Sequence, residues 1–163
     1  MNSRLVISER HHQVLCHHAT ATYPEECCGV LLGTQSRDGD RETSLVERVL
    51  SIENEREDSR HNRFLIQPET VLSAHKEARR LGLDVLGYYH SHPDHPAVPS
   101  EYDREHAWPG MSYVIVSVED GRAVDTRSWR LAEDRDRFLE ESFGSHGDPD
   151  RGAAEAQLQE VYG

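Results

Sequence analysis

Apolar runs of strand length alternate with two segments of helical character, and this pattern predicts a mixed α/β protein. The predicted strands lie at 5–7, 29–33, 45–50, 64–66, 83–89, 112–118 and 123–131. One predicted helix runs from an N-cap at Ser8 to about Thr22, and the other begins near Pro68 and stops at Gly82. Residues 133–143 fit either a charged helix or a last edge strand. Because strands and helices are intermixed, we expect a mixed sheet with helices on both faces.

Polar segments between these elements predict turns, a loop and a tail. Asp-Gly pairs at 38–40 and 120–121 are hairpin signals. Residues 53–62 are charged and nearly without apolar side chains, so we expect an exposed loop there. From residue 144 onward Gly, Asp and Pro predict a loose segment. The length therefore fits one domain over 1–143 and a flexible C-terminal tail over 144–163.

Composition narrows the classes of partner. The chain has 30 acidic and 18 basic residues and a net charge of −12, so a nucleic-acid partner is not expected, since phosphate contact needs a basic surface. It has neither a run of 18 apolar residues nor a signal-peptide pattern, which favours a cytoplasmic protein with no membrane partner. The odd cysteine count and the absence of C-x-x-C argue against a disulfide framework, and Cys27 and Cys28 are expected to be small buried residues at a strand start.

The segment from His90 to Asp103 carries the strongest chemical signal. A predicted strand runs into His90, and residues i and i+2 of a strand point to one face, so His90 and His92 can converge on one ion. Pro93 then ends the strand. Ser100 is predicted to cap a short helix, with Asp103 in its first turn facing the histidines. Two imidazoles and one carboxylate leave a tetrahedral Zn²⁺ with an open fourth position, which is typical of a catalytic site.

Several other residues admit two interpretations. The chain has 11 histidines, so the pairs at 11–12 and 17–18 are interpreted as chance neighbours on an exposed helix. Asp94 and His95 are interpreted as exposed loop residues, with a supporting role beside the metal ligands as the alternative. Glu26 precedes an apolar strand, where a charge needs a reason. It is either a solvent-facing charge at the strand start or the general base of the site, and the residues alone leave both open.

The same histidines admit a second metal chemistry. Residues 90–95 spell H-x-H-x-D-H, the motif of metallo-β-lactamase-type hydrolases. That fold usually needs a longer chain and takes further ligands from well downstream. After His95 the chain offers only His106, which is too close, and His146, which falls in the predicted tail. We therefore keep this chemistry as the less favoured alternative.

A three-part motif resembles the JAMM metalloprotease family, also called MPN-plus. Its parts are Pro-x-Glu-x-Cys-Gly at 24–29, His-x-His-Pro at 90–93 and, after six residues, Ser-x-x-Asp at 100–103. The resemblance spans about residues 4–131, and every motif position is filled. It implies an α/β fold of three layers, with a curved mixed β-sheet between helices, similar to the cytidine deaminase architecture. The deaminases' own signature, H-x-E with P-C-x-x-C, is absent.

The resemblance also implies roles for individual residues. His90, His92 and Asp103 would bind one zinc ion per chain. Glu26 would act as the general acid and base on the attacking water, and Ser100 would help to hold the oxyanion. A non-catalytic MPN scaffold is the alternative, although the complete set of metal ligands argues against it.

The short chain resembles the compact prokaryotic type of this family, which acts on ubiquitin-like proteins and small sulfur carriers ending in diglycine. The implied activity is zinc-dependent hydrolysis of the amide or isopeptide bond at that C-terminal glycine, releasing an amino acid or a protein lysine. An extended diglycine tail could add as a strand to a sheet edge, with residues 53–62 and 95–98 as rims of the groove. The sequence leaves open whether the chain forms a homodimer.

Overall fold

The computed structural model describes residues 2–53 and 66–145. Within these ranges the elements are, in chain order, β1 (Asn2–Val6), α1 (Glu9–Thr22), β2 (Cys28–Asp38), β3 (Arg41–Ile52), α2 (Pro68–Leu81), β4 (Asp84–Pro93), α3 (Glu101–His106), β5 (Ser112–Glu119), β6 (Arg122–Leu131) and β7 (Phe138–Gly144). The predicted strand at 64–66, the loop at 53–62 and the tail at 144–163 fall almost entirely outside the described residues. The boundary at residue 143 therefore stays a prediction.

The strands form one mixed sheet, in the order β1-β3-β2-β4-β5-β6-β7. β1 pairs in parallel with both β3 and β7, and β4 pairs in parallel with β5, whereas the other neighbours are antiparallel. The mixed sheet is as predicted, but the pairing of β1 with β7 closes it into a barrel, which the sequence did not predict. Closure depends on β7, which covers the edges of β6 and β1 and confirms the edge-strand alternative for most of the segment 133–143.

Two helices pack against opposite faces of the β2–β4 part of the sheet. Leu31 of β2 belongs to a core cluster that includes Leu15 and Ala19 of α1. Its neighbour Val30 points the other way and packs in a second cluster with Ala78 of α2. Successive side chains of one strand therefore supply two cores, and helices on both faces are as the intermixed pattern predicts.

The predicted helix ends are also confirmed. The Ser8 hydroxyl accepts a hydrogen bond from the backbone N–H of His11 at the start of α1. α2 begins at Pro68 and is followed by Gly82, whose φ of 73° is left-handed and whose N–H reaches the last helical carbonyls. None of the helices between residues 2 and 53 or 66 and 145 is long and apolar enough to cross a bilayer.

The barrel seam contains a buried charged network that the sequence pattern did not reveal. Arg130 of β6 and Glu141 of β7 are only 4% and 6% exposed. The Arg130 guanidinium donates to Glu141 at 3.1 Å and lies 2.8 Å from a carboxylate oxygen of Glu42 in β3. Hydroxyls of Ser3 in β1 and Ser128 in β6 donate to the same Glu141 carboxylate. The network joins the four strands around the closure, and every charge in it has an opposite partner.

Candidate metal centre

His90, His92 and Asp103 converge on one point, as the sequence predicts. β4 continues past His90 to Pro93, and its alternation turns both imidazoles to one face, with their Nε2 atoms 3.1 Å apart. The Asp103 carboxylate faces both rings: Oδ1 lies 3.2 Å from His90 Nε2, and Oδ2 lies 3.2 Å from His92 Nε2. Ligand atoms of these three residues all lie within 4.8 Å of one another, a separation that can hold a metal ion.

The spacing and chemistry of these groups fit a tetrahedral metal ion. A zinc ion with bonds of about 2.0–2.1 Å holds its ligand atoms about 3.3 Å apart. The separations of 3.1 and 3.2 Å agree with that geometry. The side chains of His90, His92 and Asp103 are only 2%, 10% and 8% exposed, so water competes little for the ligand atoms. Two imidazoles and one carboxylate form a donor set of catalytic zinc sites, in which one position stays open.

A capping box at the start of α3 orients Asp103. The Ser100 hydroxyl accepts a hydrogen bond from the Asp103 N–H at 3.1 Å, and the Ser100 N–H donates to Asp103 Oδ2 at 2.9 Å. These reciprocal bonds confirm the predicted N-cap and hold the carboxylate toward the histidines. Because the Ser100 oxygen is the acceptor in this contact, its own hydrogen stays available for another group.

The backbone beyond β4 orients His92. The ring Nδ1 lies 2.8 Å from the carbonyl oxygen of Pro96, which can only accept, so Nδ1 carries the hydrogen. In the neutral ring Nε2 is then the unprotonated nitrogen, and it points at the ligand cluster. A backbone carbonyl that fixes the tautomer in this way is typical of metal-binding histidines.

Electrostatics tie the three groups together. Burial lowers the pKa of His92, but the hydrogen bond and charge of Asp103, with the Pro96 carbonyl, outweigh burial and raise it above the ordinary value. Burial also disfavours the charged form of Asp103, which by itself would raise the pKa of this carboxyl. The neighbouring His90 and His92 outweigh burial and hold the pKa of Asp103 well below its usual range. The centre therefore favours a negatively charged Asp103 beside a positive charge. A bound divalent cation would supply such a positive charge.

Glu26 lines the same cleft as His92, one of the three predicted ligands. It is 4% exposed, so the interpretation as a solvent-facing charge is wrong. A cleft of about 280 Å³ is lined by Glu26, His92, His95, Pro96, Val98 and Ser100. The structure thus brings the two predicted catalytic side chains together with a metal ligand, and the predicted rim at 95–98 contributes to the same cleft.

Neither Asp94 nor His95 belongs to the ligand group that the structure forms among residues 2–53 and 66–145. The Asp94 carboxylate instead accepts hydrogen bonds from the Tyr23 hydroxyl and the Asp120 N–H. The H-x-H-x-D-H interpretation therefore has no support from this geometry. His95 lines the cleft without joining the three ligands.

Two other interpretations from the sequence can be compared with the structure. Cys27 and Cys28 are buried at the start of β2, as predicted, and burial raises the pKa of Cys27 to about 11, so it is a protonated thiol at neutral pH. The description of the α1 histidines as exposed is wrong for three of them, His11, His12 and His18, which are partly buried. His12 hydrogen-bonds Thr126 at 2.9 Å, and His18 hydrogen-bonds Tyr89 at 2.8 Å, because this face of α1 packs on the sheet.

An aromatic groove beside α3 was missed at the sequence level. It has a volume of about 210 Å³ and is lined mainly by Ile66, Val71, Tyr88, Tyr102, Trp108 and Tyr113. Tyr88 precedes His90 by two positions and so lies on the same face of β4, a spacing visible in the sequence. Trp108 is 66% exposed, and the Arg135 guanidinium lies 5.2 Å from the centre of its ring. The groove therefore includes a residue of β4 that shares a face with the predicted metal ligands.

Comparison with known proteins places this site in a family. The family described as prokaryotic homologs of the JAB domain matches residues 8–132. A desampylase of Haloferax volcanii is 36% identical over 114 residues, which cover 69% of this chain and 76% of the relative. A CysO-cysteine peptidase of Mycobacterium tuberculosis is 30% identical over 118 residues, which cover 71% of this chain and 75% of the relative.

The chain is also similar to a solved structure over most of its length. The solution structure of a Desulfitobacterium hafniense protein superposes with a TM-score of 0.70 at 34% identity, covering 85% of this chain and 90% of that one. Family match, sequence identity and fold agree with the motif that holds His90, His92 and Asp103. The chain therefore belongs to the prokaryotic JAB-domain family, the JAMM type that its motif resembles.

Proposed function

We propose that this protein is a zinc-dependent peptidase or isopeptidase that cleaves the bond at the C-terminal glycine of a ubiquitin-like or sulfur-carrier protein. The observation that carries the proposal is the convergence of His90, His92 and Asp103, with His92 lining a cleft that also contains the buried Glu26 and Ser100. The relatives named desampylase and CysO-cysteine peptidase support both the reaction and the class of substrate. A complete ligand set with a buried acid beside it favours catalysis over a scaffold role.

In the proposed reaction the three ligands, Glu26 and Ser100 each have a separate role. A zinc ion held by the three ligands would supply Lewis-acid polarisation of a water molecule and of the scissile carbonyl. Glu26 accepts the proton of the attacking water and later donates it to the leaving amine. Ser100 donates its free hydroxyl hydrogen to the developing oxyanion, since its oxygen lone pair is engaged by the Asp103 N–H. The Pro96 carbonyl keeps the His92 ring in the ligand orientation throughout.

β4 offers an added strand little free edge. It pairs with β5 as far as Pro93 and with β2 as far as His90, and just beyond that the Ser91 N–H donates to the Cys27 carbonyl. We propose instead that the carrier tail crosses the face of the sheet next to α3.

The aromatic groove then receives the residue before the diglycine. Two extended glycines move the chain about 7 Å away from the scissile carbonyl. Tyr88 lies two residues from His90 on β4, a displacement of about 6.6 Å. The match in length supports a position for the first substrate side chain against Tyr88, Tyr102 and Trp108, and we propose that an apolar side chain occupies it.

Two further features remain proposals. We propose that residues 1–143 are the catalytic domain and 144–163 a tail, and that the loop at 53–62 forms a second rim of the substrate groove. We also propose that the curved sheet between α1 and α2 corresponds to the three-layer arrangement of cytidine deaminases. The packing of these helices on opposite faces of β2 supports that comparison.

A direct test uses carriers that end in diglycine and are conjugated either to an amino acid or to a protein lysine. The zinc-loaded protein is incubated with each conjugate, with and without a chelator, and the products are identified by mass spectrometry. Cleavage directly after the terminal glycine that the chelator abolishes and zinc restores is expected. No cleavage of either conjugate by protein that contains one zinc per chain would overturn the proposal.

A further inference from the structure

The segment that carries Glu26 is tied to the ligand strand on both sides of Glu26. One residue after it, the Cys27 N–H donates to the Ser91 hydroxyl at 2.8 Å. Three residues before it, the Tyr23 hydroxyl donates to Asp94 Oδ2 at 2.7 Å. Ser91 and Asp94 themselves lie on either side of His92 in the sequence. Two cross-links therefore clamp the Glu26 segment against the segment that carries His92.

Asp94 is the point where three segments meet. Its Oδ1 accepts from the Asp120 N–H at 3.0 Å, and its own N–H donates to the carbonyl of Val118 at 2.6 Å. Its φ of 58° is left-handed, a conformation that is unfavourable for residues with a side chain but is adopted by Asp more readily than by most. These bonds hold Asp94 in that conformation and anchor both the Tyr23 side and the ligand loop to the β5–β6 hairpin.

The same loop also orients a ligand. Between Asp94 and Pro96 the chain turns so that the Pro96 carbonyl accepts from His92 Nδ1. The Ser117 hydroxyl donates to the carbonyl of His95 at 2.5 Å and fixes the middle of the turn. Since these contacts remain without Tyr23, loss of the Tyr23 hydroxyl would remove one of the two side-chain cross-links of the Glu26 segment and leave the Cys27–Ser91 contact and the His92 side in place.

We propose that Tyr23 and Asp94 are positioning residues, whose hydrogen bond sets the place of Glu26 relative to the three metal ligands. The role of Glu26 rests on the proposed function, whereas the clamp itself is a property of the fold. The bond contributes through geometry, because a displacement of about 1 Å of a reacting group can lower turnover on the order of a hundredfold. Neither side chain touches the reacting atoms.

Three variants separate this role from a structural one. Tyr23→Phe removes only the donor. Asp94→Gly removes both side-chain bonds and suits the left-handed backbone. Asp94→Asn can keep a hydrogen bond to each neighbour and serves as the rescue variant. Asp120→Gly is the matched control, since it also replaces an aspartate of positive φ, 50°, but keeps the backbone N–H that binds Asp94.

The first measurement is hydrogen exchange of residues 22–28, followed by mass spectrometry without substrate. Faster exchange in Tyr23→Phe and Asp94→Gly than in the wild type, Asp94→Asn and Asp120→Gly is expected. The second measurement is cleavage of the diglycine conjugate together with bound zinc. We expect kcat to fall on the order of tenfold in Tyr23→Phe and Asp94→Gly, with KM and one zinc per chain retained.

Unchanged hydrogen exchange of residues 22–28 in Tyr23→Phe and Asp94→Gly would overturn the proposed clamp. A loss of bound zinc that accounts for the whole loss of turnover would also overturn the proposal. If the wild type cleaves no conjugate, the proposed function fails, and the exchange rates still decide whether the Tyr23–Asp94 bond holds the Glu26 segment. Normal kcat despite faster exchange would refute the positioning role specifically.

Discussion

Asp103 Oδ2 lies 3.2 Å from His92 Nε2, although one residue belongs to a helix and the other to a strand of the barrel. The capping box of α3 produces this proximity, because it turns the Asp103 carboxylate back over the start of its own helix. The ligand geometry is therefore built from local interactions on each element, and a bound ion meets a centre that is already assembled.

The roles of ligand and base can be separated by two substitutions. His90→Ala removes one of three metal ligands, so we expect loss of both bound zinc and turnover. Glu26→Gln keeps the shape of the side chain but removes the base, so zinc should remain at one per chain while turnover is lost. Metal analysis beside the cleavage assay measures both. Full activity in Glu26→Gln would exclude Glu26 as the base.

Ser100→Ala should impair the enzyme without abolishing activity. Loss of one oxyanion donor typically lowers kcat by about 10²–10³. The same change removes the N-cap of α3, which costs about 1 kcal/mol of stability. Ser100→Thr keeps a hydroxyl and a cap and is the control. A kcat unchanged in Ser100→Ala, with zinc still bound, would mean that the oxyanion is held by other groups.

The stability of the metal-free protein and the affinity for zinc should depend on pH in opposite ways. In the metal-free protein the raised pKa of His92 contributes stability that is present below about pH 6.5 and is lost as the pH rises through the folded-state pKa. The lowered pKa of Asp103 contributes stability above about pH 3.9 that is lost as the pH falls toward the folded-state pKa. The centre therefore stabilises the metal-free protein most between about pH 4 and 6.5.

Zinc binding requires an unprotonated His92, so protons compete with the ion at a higher pH than at an ordinary histidine. We expect zinc affinity to weaken as the pH falls through neutrality. Titration of zinc into the chelated protein and denaturant unfolding, both between pH 5 and 8, measure the two trends. Parallel pH dependence of the two forms would contradict this assignment of charges.

The barrel seam should be sensitive to the loss of one charge. Arg130→Ala leaves the buried Glu141 carboxylate without its main counter-ion and should lower the free energy of unfolding by about 3–5 kcal/mol. Arg127→Ala on the same strand is the matched control. It breaks an ion pair with Asp125 whose side chains are 43% and 44% exposed, and it should cost less than about 1 kcal/mol. Equal losses in the two variants would show that burial at the seam is unimportant.

The aromatic groove gives a prediction about substrate choice. Trp108→Ala should lower kcat/KM about tenfold for a carrier with an apolar residue before the diglycine, because a large contact surface is lost. A carrier with an acidic residue at that position should be affected much less. Val124→Ala, an exposed apolar residue on β6, is the control. An equal effect on both carriers would exclude the groove as the site for that side chain.

Periodicity, capping and turn chemistry predicted most of the elements because these signals are local. Ser8, Gly82 and the Ser100–Asp103 capping box behave as expected since their partners are only a few residues away. Closure of the barrel could not be predicted, because the pairing of β7 with β1 joins opposite ends of the domain. The Tyr23–Asp94 bond was missed because its partners are 71 residues apart in the sequence.

The candidate site was more predictable than the fold. Strand alternation and one helix turn are enough to bring the three ligands together. Glu26 was different: its burial depends on β2 lying beside β4, so the residues alone left its orientation open and only the resemblance selected it.

Because β4 is paired on both sides within the barrel, the fold should tolerate removal of a zinc ion bound at His90, His92 and Asp103. In zinc fingers the ion supplies the folding free energy, and its removal unfolds the domain. Here strand pairing and two apolar clusters support the shell around the ligands. Chelation should accordingly leave an intact receptor that can be reconstituted with a spectroscopically visible ion such as Co²⁺, making the coordination sphere accessible to direct observation.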